Sequence, residues 1–485
     1  MNRAVAALLF SVVVLGADED APKPTVESAL RSFTNAFALI ESQAADRVES
    51  QPAIFSGAIP AMLRKLDPFS VFLDPQQTEQ LREMEKSERK GFGSVVSVMP
   101  GRVVILQTLP GTPSAKAGLS PGDEILIINN IPLNRLEFEQ LVQLLSEARQ
   151  REARLQVRRP GNVRLLQFTL TPELMDAPSV DRVFLLKPGI GYIRIASFDP
   201  KTGALLKQSI EQLGGSALKG LVLDLRNNPG GVVQAAMEVA AQFLKPGQTI
   251  LSVRGRALED ETVNVPDTAK PYSFPVAVLI NGKSASASEI VTGALQDHDR
   301  AAVIGERSYG KGLVQRVFGL SSNTALALTT AFYYTPSGRS IQKPIEGGQL
   351  NPAKFAGKGE HKTDSGRQVL GGGGIEPDEV VLPENYTRLR MVIEGTGSFT
   401  AFATDFVQKN KVDEKWNLSG ATLDDFRVFL SARNIQPNPA EWSNDRSWIE
   451  NRLKQEIVNL ALGVAKGDEV EVQRDPVVQR ALQKL

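Results

Sequence analysis

The sequence predicts a multidomain protein that combines α/β and α+β architecture, with helical segments at both ends. Three observations support this fold class. From about residue 183, strand and helix patterns alternate, which is typical of a layered α/β core. Residues 91–172 contain short strands separated by glycine turns and one strong helical pattern. Before residue 90 and after residue 385, the pattern is mainly helical.

The amino-acid composition argues against several classes of function and of active site. The chain has 485 residues, enough for about three domains, and 55 basic residues balance 55 acidic ones, so no charge excess indicates nucleic-acid binding. It has no cysteine, which excludes disulfides, thiol nucleophiles and cysteine-bound metals. Its two histidines, His298 and His361, make a histidine metal site or a Ser-His-Asp triad improbable. We therefore expect neither a metal nor another cofactor.

The N-terminus has the pattern of a secretory signal peptide over residues 1–17. Arg3 precedes an apolar run over residues 4–16, and Ala17 leads into an acidic stretch. This run is too short to span a bilayer comfortably, although an uncleaved anchor is the alternative. We expect a protein exported to the periplasm or the extracellular space, and membrane-associated if the signal peptide is retained.

Residues 18–90 are predicted as an N-terminal helical region. Val26, Leu30 and Phe33 recur near helical spacing. Two proline-containing breaks follow at residues 66–70 and 74–75, and a charged helix is expected over residues 79–90.

Residues 91–172 are predicted as a strand-rich module. A glycine turn leads into its first strand, and a short helix over residues 114–119 should end at Gly118. Asn134 and Glu137 have capping-box spacing and should open the module's main helix, over residues 136–148.

Residues 173–384 are predicted as the layered core. Residues 220–225, 276–280 and 301–304 are almost continuously apolar, as buried parallel strands are. Residues 343–374 form a glycine- and lysine-rich excursion, which could be a flap facing the substrate. Residues 385–485 are predicted as a separate, helical C-terminal region.

A serine-rich junction follows the predicted strand at residues 276–280. Residues 284–289 are small except for the last, so the backbone could turn sharply there and expose a hydroxyl. Amides at the start of the next helix could then stabilise an oxyanion. The alternative is that Ser286 or Ser288 simply caps the helix.

A lysine between two glycines is the second candidate. Lys311 and Gln315 are four residues apart and would share one face of a strand. Lys311 could act as a general base only if burial lowers its pKa; a solvated surface lysine is the alternative. Residues 305–311 also match a phosphate-loop pattern, but Gly312 stands where a Ser or Thr should bind magnesium, and a strand rather than a helix is expected next.

The third candidate is the turn after the predicted strand at residues 220–225. Gly230 and Gly231 would allow close backbone approach and could supply an oxyanion-binding amide. An ordinary strand-to-helix turn is equally compatible with this pattern.

Taken in order, these motifs strongly resemble those of the carboxyl-terminal processing peptidases, also called tail-specific proteases. The resemblance covers roughly residues 60–380. Its motifs are LDPFS at 66–70, LDP at 73–75, GFG at 91–93, AGLSPGD at 117–123, DLRNNPGG at 224–231, SASASE at 284–289, GKGLVQ at 310–315, TPSGRSIQ at 335–342 and GIEPD at 374–378.

The resemblance implies a PDZ domain over residues 91–172 and a crotonase-like peptidase core over residues 173–384. It implies Ser286 as nucleophile, Lys311 as base and Gln315 as the residue that positions the lysine. The oxyanion donors would be the amide of Ala287 and that of either Gly230 or Gly231. The PDZ residues expected to bind a substrate C-terminus are Gly91, Phe92, Gly93, Ser94 and Val95.

The expected function is that of an exported serine endopeptidase that cleaves proteins at or near their C-terminal tails. Its partners would be proteins or peptides with exposed C-termini, with no nucleic acid and no metal, and it could form homo-oligomers. The alternative is a catalytically inert PDZ protein that only captures tails, against which the intact set of Ser286, Lys311 and Gln315 argues.

Overall fold

The computed structural model describes residues 25–85, 88–351 and 361–485. The predicted signal peptide and residues 352–360 of the excursion lie outside these ranges. Within the described residues, we find no helix with the length and apolarity needed to cross a bilayer.

The chain divides into two compact units, and the first ends at Lys65. Its described part contains α1 (Val26–Gln43), a π-helical turn (Pro52–Ala58) and α2 (Ile59–Leu63). The helix predicted from the apolar spacing is confirmed, and the Thr25 hydroxyl caps it by accepting from the Ser28 amide. No residue of α1 is buried, so its apolar stripe does not form a core.

The second unit begins at Leu66 with β1 (Val71–Leu73), α3 (Pro75–Glu85) and β2 (Glu88–Gly91). The helix expected over residues 79–90 is therefore wrong at its end. Residues Glu88–Gly91 instead pair with Glu173–Asp176, far away in the chain. The local charge pattern carries no information about such a long-range partner.

The strand-rich module is confirmed. Its elements are β3 (Ser94–Met99), β4 (Arg102–Thr108), α4 (Pro113–Ala117), β5 (Glu124–Ile128), β6 (Ile131–Pro132), α5 (Phe138–Ala148), β7 (Ala153–Arg158), β8 (Leu166–Leu170) and β9 (Glu173–Asp176). The sheet order is β3-β4-β5-β7-β8, which leaves β3 at an edge of the sheet among the described strands. Buried Ile105, Leu133 and Leu141 belong to the core between this sheet and α5.

One detail of this module differs from the prediction. Asn134 lies in a 3₁₀ turn (Leu133–Arg135), and the capping box is formed by Glu137 and Gln140. The Glu137 amide donates to Gln140 Oε1 at 3.0 Å. The helix consequently begins at Phe138 rather than Leu136. Both Asn134 with Glu137 and Glu137 with Gln140 have capping-box spacing. Because Asn134 lies in the 3₁₀ turn, the second pair forms the box.

The core alternates strands and helices as predicted. Its elements are β10 (Val180–Lys187), β11 (Ile190–Ile195), α6 (Thr202–Leu213), β12 (Gly220–Asp224), α7 (Val233–Ala241), β13 (Thr249–Gly255), β14 (Leu258–Asn264), β15 (Val276–Ile280), α8 (Ala287–Asp297), β16 (Ala301–Gly305), β17 (Leu313–Gly319), β18 (Ala325–Tyr334) and the short β19 (Ile345–Glu346), β20 (Gln349–Leu350), β21 (His361–Lys362), β22 (Gln368–Val369) and β23 (Glu379–Val380).

The main sheet of the core brings the functional loops together. Its order is β10-β11-β12-β15-β16-β23, and all neighbours from β11 onward are parallel. The carboxyl ends of parallel strands meet at one edge, where ligands commonly bind. The turn after β12, the serine-rich junction after β15 and the loop after β16 all start from this edge. A second sheet, β1-β18-β13-β14 with β17 on β18, includes the strand that follows Lys311.

The C-terminal region is helical as predicted, with α9 (Arg388–Gly395), α10 (Ser398–Lys409), α11 (Gly420–Ala432), α12 (Pro439–Leu462), α13 (Val464–Val472) and α14 (Pro476–Ala481). It is not separate from the rest. Val472 and Val478 pack on sheet residues such as Val222 and Leu279. Leu106 of β4 is buried in the aromatic core of these helices. The region thus contacts both the main sheet and the strand-rich module.

Candidate active site

Ser286 lies at the sharp turn between β15 and α8. Its backbone has φ 55° and ψ −115°, a conformation that non-glycine residues rarely adopt and that stores strain. Ser284, Ala285 and residues 287–289 are buried, whereas Ser286 is half-buried. Ser286 is also the N-cap of α8 and forms a capping box with Glu289. Ser286 is therefore an N-cap residue, but its strained backbone and its partial exposure distinguish it from an ordinary N-cap.

The buried carboxylate of Glu289 connects the serine segment to the lysine segment. Its oxygens accept hydrogen bonds from the amides of Ser286, Gly310 and Lys311, at 2.7–2.9 Å, and from the Ser308 hydroxyl. Burial raises the pKa of the Glu289 carboxyl, and these four donors act against that rise. In the sequence, Glu289 stood out only as the last residue of the SASASE motif, which gave no hint of its link to Lys311.

The side chains of Lys311 and Gln315 meet as predicted. Lys311 Nζ donates to Gln315 Oε1 at 2.6 Å. The predicted strand geometry is wrong in detail, because Lys311 precedes β17 and a bulge separates Val314 from Gln315. Within the described residues, no hydrogen bond joins Lys311 Nζ to the Ser286 hydroxyl, so the amine is held by Gln315.

Burial shifts the ionisation of Lys311 toward the neutral amine. Burial lowers the pKa of the Lys311 amine, while the nearby charges of Glu289 and Asp67 act in the opposite direction. Lys311 Nζ also lies 5.3 Å from the centre of the Phe69 ring, a contact that by itself favours the charged amine. A lysine whose pKa is depressed in this way can act as a general base, unlike a solvated surface lysine.

Tyr333 is a site residue that the sequence did not indicate. Its hydroxyl lies 2.7 Å from the carbonyl oxygen of Lys311 and 3.1 Å from that of Ser286. The side chain is 1% exposed, and burial raises the pKa of its phenol well above the usual value. Its only sequence signal was an inward position on β18, which many residues share. Tyr333 and Glu289 together hold the backbones of Ser286 and Lys311 in one framework.

The glycine turn after β12 lies against the serine turn. Gly230 has φ 99°, and a Cβ built on it would be 2.8 Å from Ser286 Cβ and 3.0 Å from the Ala287 nitrogen. Gly231 packs elsewhere, because a Cβ there would lie 2.0 Å from the Phe198 carbonyl oxygen. The Gly230 amide donates to Asn228 Oδ1 at 2.8 Å. The Ala287 amide is in the first turn of α8, where N–H groups lack partners inside the helix.

The residues expected to bind a peptide lie at the entrance to the edge strand β3. Gly93 has φ 74°, and a Cβ there would be 2.2 Å from Thr112 Cβ, so only glycine fits this turn. Phe92 packs on the core of the module. Gly91 ends β2, and Ser94 and Val95 open β3, whose other edge pairs with β4.

The alternatives to this site find little support. The element after Lys311 is a strand, and Glu289 occupies the amides of Gly310 and Lys311 that a phosphate would need. His298 lies between Asp364 and the Thr249 carbonyl, and His361 contacts the Ser337 carbonyl. Across residues 25–85, 88–351 and 361–485, no cluster of three or more acidic or histidine side chains could hold a metal ion.

Comparison with known proteins agrees with this geometry. Residues 189–348 match the model of Peptidase family S41, and residues 104–159 match that of the PDZ domain. The chain is 34% identical over 388 residues to a carboxy-terminal-processing protease of Bartonella bacilliformis, covering 74% of this chain and 88% of that protein. This chain belongs to the carboxyl-terminal processing protease family. It is therefore a serine peptidase that carries a PDZ domain and acts on proteins or peptides.

Two further proteins are similar to this chain. A carboxyl-terminal-processing protease of Synechocystis is 33% identical over 292 residues, which cover 59% of this chain and 68% of that protein. Among solved structures, a photosystem II D1 C-terminal processing protease is 27% identical, with 74% of this chain and 89% of that chain covered and a TM-score of 0.41.

Proposed function

We propose that this protease is an exported endopeptidase that cleaves substrates at or near their C-terminal tails by a Ser–Lys mechanism. The observation that carries the mechanism is the state of Lys311. Its amine is partly buried, bonded to the neutral Gln315, and attached to a backbone that shares Glu289 and Tyr333 with Ser286. A neutral partner orients the amine without stabilising its charged form as a carboxylate would.

The chemistry proceeds in two halves. The neutral Lys311 amine takes the proton of the Ser286 hydroxyl, and the serine oxygen attacks the scissile carbonyl carbon. The amide of Ala287 and one amide of the Gly230–Gly231 turn stabilise the resulting oxyanion. The Lys311 ammonium then gives its proton to the leaving amine as the peptide bond breaks. Water, deprotonated by the same lysine, hydrolyses the acyl-enzyme and restores the Ser286 hydroxyl.

The PDZ domain supplies the preference for tails. Because β3 is an edge strand, a substrate C-terminus can add to it as a further strand, between β3 and α5. The carboxylate would then reach the amides of the turn formed by Gly91, Phe92 and Gly93. Hydrophobic residues of this module, including Val96 and Leu144, are only partly buried around its core, which favours an apolar side chain at the end of the substrate.

We also propose the domain division given by the sequence: a helical region to residue 90, the PDZ domain over 91–172, the peptidase core over 173–384 and the helical region over 385–485. Removal of residues 1–17 on export remains part of this proposal. N-terminal sequencing of protein recovered from the outside of the membrane should then give a chain that begins at residue 18.

Cleavage of an unstructured protein with an apolar C-terminus tests the mechanism. Wild type should cleave it, and Ser286→Ala and Lys311→Ala should each be inactive while keeping the wild-type unfolding transition. Lys283→Ala is the matched control, because Lys283 is exposed and lies three residues before Ser286. Undiminished cleavage by Lys311→Ala would overturn the assignment of the base.

A further inference from the structure

The LDPFS motif forms a tight turn beside the active-site lysine. The Asp67 side chain is buried and accepts hydrogen bonds from the amides of Phe69 and Ser70, at 2.7 and 2.8 Å, and from the Ser70 hydroxyl at 2.8 Å. Ser70 Oγ in turn accepts from the Thr329 amide of β18 at 3.1 Å. Since β1 follows and also pairs with β18, the turn is anchored to the sheet that contains Gln315 and follows Lys311.

This turn contacts the residue that holds the lysine. Gln315 Nε2 donates to the main-chain carbonyl oxygen of Phe69 at 2.7 Å, across 246 positions of sequence. A carbonyl oxygen can only accept a hydrogen bond, so it must face the NH₂ end of the Gln315 amide. The oxygen end of the same amide is thereby turned toward Lys311 Nζ.

The orientation of the Gln315 amide decides what the lysine can do. With Gln315 Oε1 facing it, a neutral amine donates one N–H to that oxygen and keeps its lone pair free for the proton of Ser286. With the amide reversed, Gln315 Nε2 would donate to the amine and occupy the lone pair. A reversed amide would therefore suppress the base without displacing any atom of the lysine.

We propose that the turn Asp67–Ser70 is a positioning element of the active site, which acts by holding the Gln315 amide in its productive orientation. The proposal rests on the Ser–Lys function above and extends it to a segment before the PDZ domain. Phe69 contributes its main-chain carbonyl to Gln315 and its ring to cover Lys311, and Asp67 and Ser70 hold that carbonyl in place.

The first test uses Asp67, because a main-chain carbonyl cannot be removed by mutation. Asp67→Ala removes the acceptor that orders the turn, and we expect kcat to fall about tenfold to 100-fold with KM unchanged. Asp67→Asn keeps an oxygen for the two amides and should recover most of the loss. Asp74→Ala is the matched control, because Asp74 is exposed and stands in the neighbouring LDP motif. A loss of kcat in Asp74→Ala equal to that in Asp67→Ala would overturn the proposal.

A double-mutant cycle with Gln315→Leu separates positioning from general damage to the fold. If the turn acts through Gln315, Asp67→Ala should lower kcat much less in the Gln315→Leu background than in wild type. Equal losses in both backgrounds would contradict the proposal. The same series includes Lys311→Ala, which tests the mechanism separately. An active Lys311→Ala refutes the Ser–Lys function. An inactive Lys311→Ala, together with equal losses from Asp67→Ala in both backgrounds, refutes only the role of the turn.

Discussion

Replacing Tyr333 with phenylalanine should loosen the backbone at the base, Lys311, without opening a cavity. The hydroxyl has one proton to donate, and the nearer acceptor is the Lys311 carbonyl, at 2.7 Å against 3.1 Å for that of Ser286. The Ser286 carbonyl already accepts from the amides of Glu289 and Ile290. The loss therefore falls on Lys311. One such hydrogen bond stabilises a fold by about 1 kcal/mol, and somewhat more when its acceptor stays buried and unpaired.

We expect Tyr333→Phe to lower the free energy of unfolding by about 1–2 kcal/mol, as measured by urea denaturation. We expect kcat to fall by about tenfold, with KM nearly constant, because the backbone of the base, Lys311, loses a hydrogen bond that fixes its position. Tyr334→Phe, on the neighbouring residue whose ring stacks on Arg254, is the matched control and should change neither quantity. A loss of stability with wild-type kcat would show that Tyr333 supports the fold but not the site.

Three further predictions follow from the same geometry. The rate of acylation should rise with pH through the ionisation of Lys311, because the neutral amine is the active form. Asp67→Asn should move that ionisation to lower pH, since the Asp67 charge raises the Lys311 pKa. An unchanged pH profile in Asp67→Asn would show that this charge does not affect the amine. Gly230→Ala should abolish cleavage with little loss of expression, because its Cβ would lie 2.7 Å from the Ala285 carbonyl oxygen and 2.8 Å from Ser286 Cβ. A fully active variant would mean that the glycine turn and the serine turn are further apart. Leu106→Ala should lower the free energy of unfolding by about 2–5 kcal/mol, as burial of a leucine in a core implies, and a change below 1 kcal/mol would contradict the packing of the C-terminal helices on β4.

The parts of this structure that could be predicted from the sequence are those with a local physical cause. Continuous apolar runs identified β12, β15 and β16, since strands buried on both faces leave no room for alternation. Gly118 ends α4 with φ 85°, as its position after a short helical pattern indicated. The contact between Lys311 and Gln315 was also expected, although a bulge at Gln315 changed the strand geometry that brings the two together.

The parts that could not be predicted depend on contacts between distant residues. Tyr333 reaches the carbonyls of Ser286 and Lys311 only because β18 lies beside β17. The link between Phe69 and Gln315 spans 246 positions, about half of the chain, and uses a main-chain atom, which no residue identity encodes. The C-terminal helices had no recognisable motif, and their role in covering the main sheet follows from packing alone.

The most direct test of the central claim is the rate at which a fluorophosphonate probe phosphonylates Ser286, with loss of fluoride, measured in wild type, Lys283→Ala and Lys311→Ala. The probe needs the nucleophile and its base but not the PDZ domain, so the reading is independent of tail capture. We predict labelling of Ser286 at similar rates in wild type and Lys283→Ala, and a loss of at least about 100-fold in Lys311→Ala. Equal labelling in all three proteins would show that Lys311 does not activate Ser286 and would contradict the account.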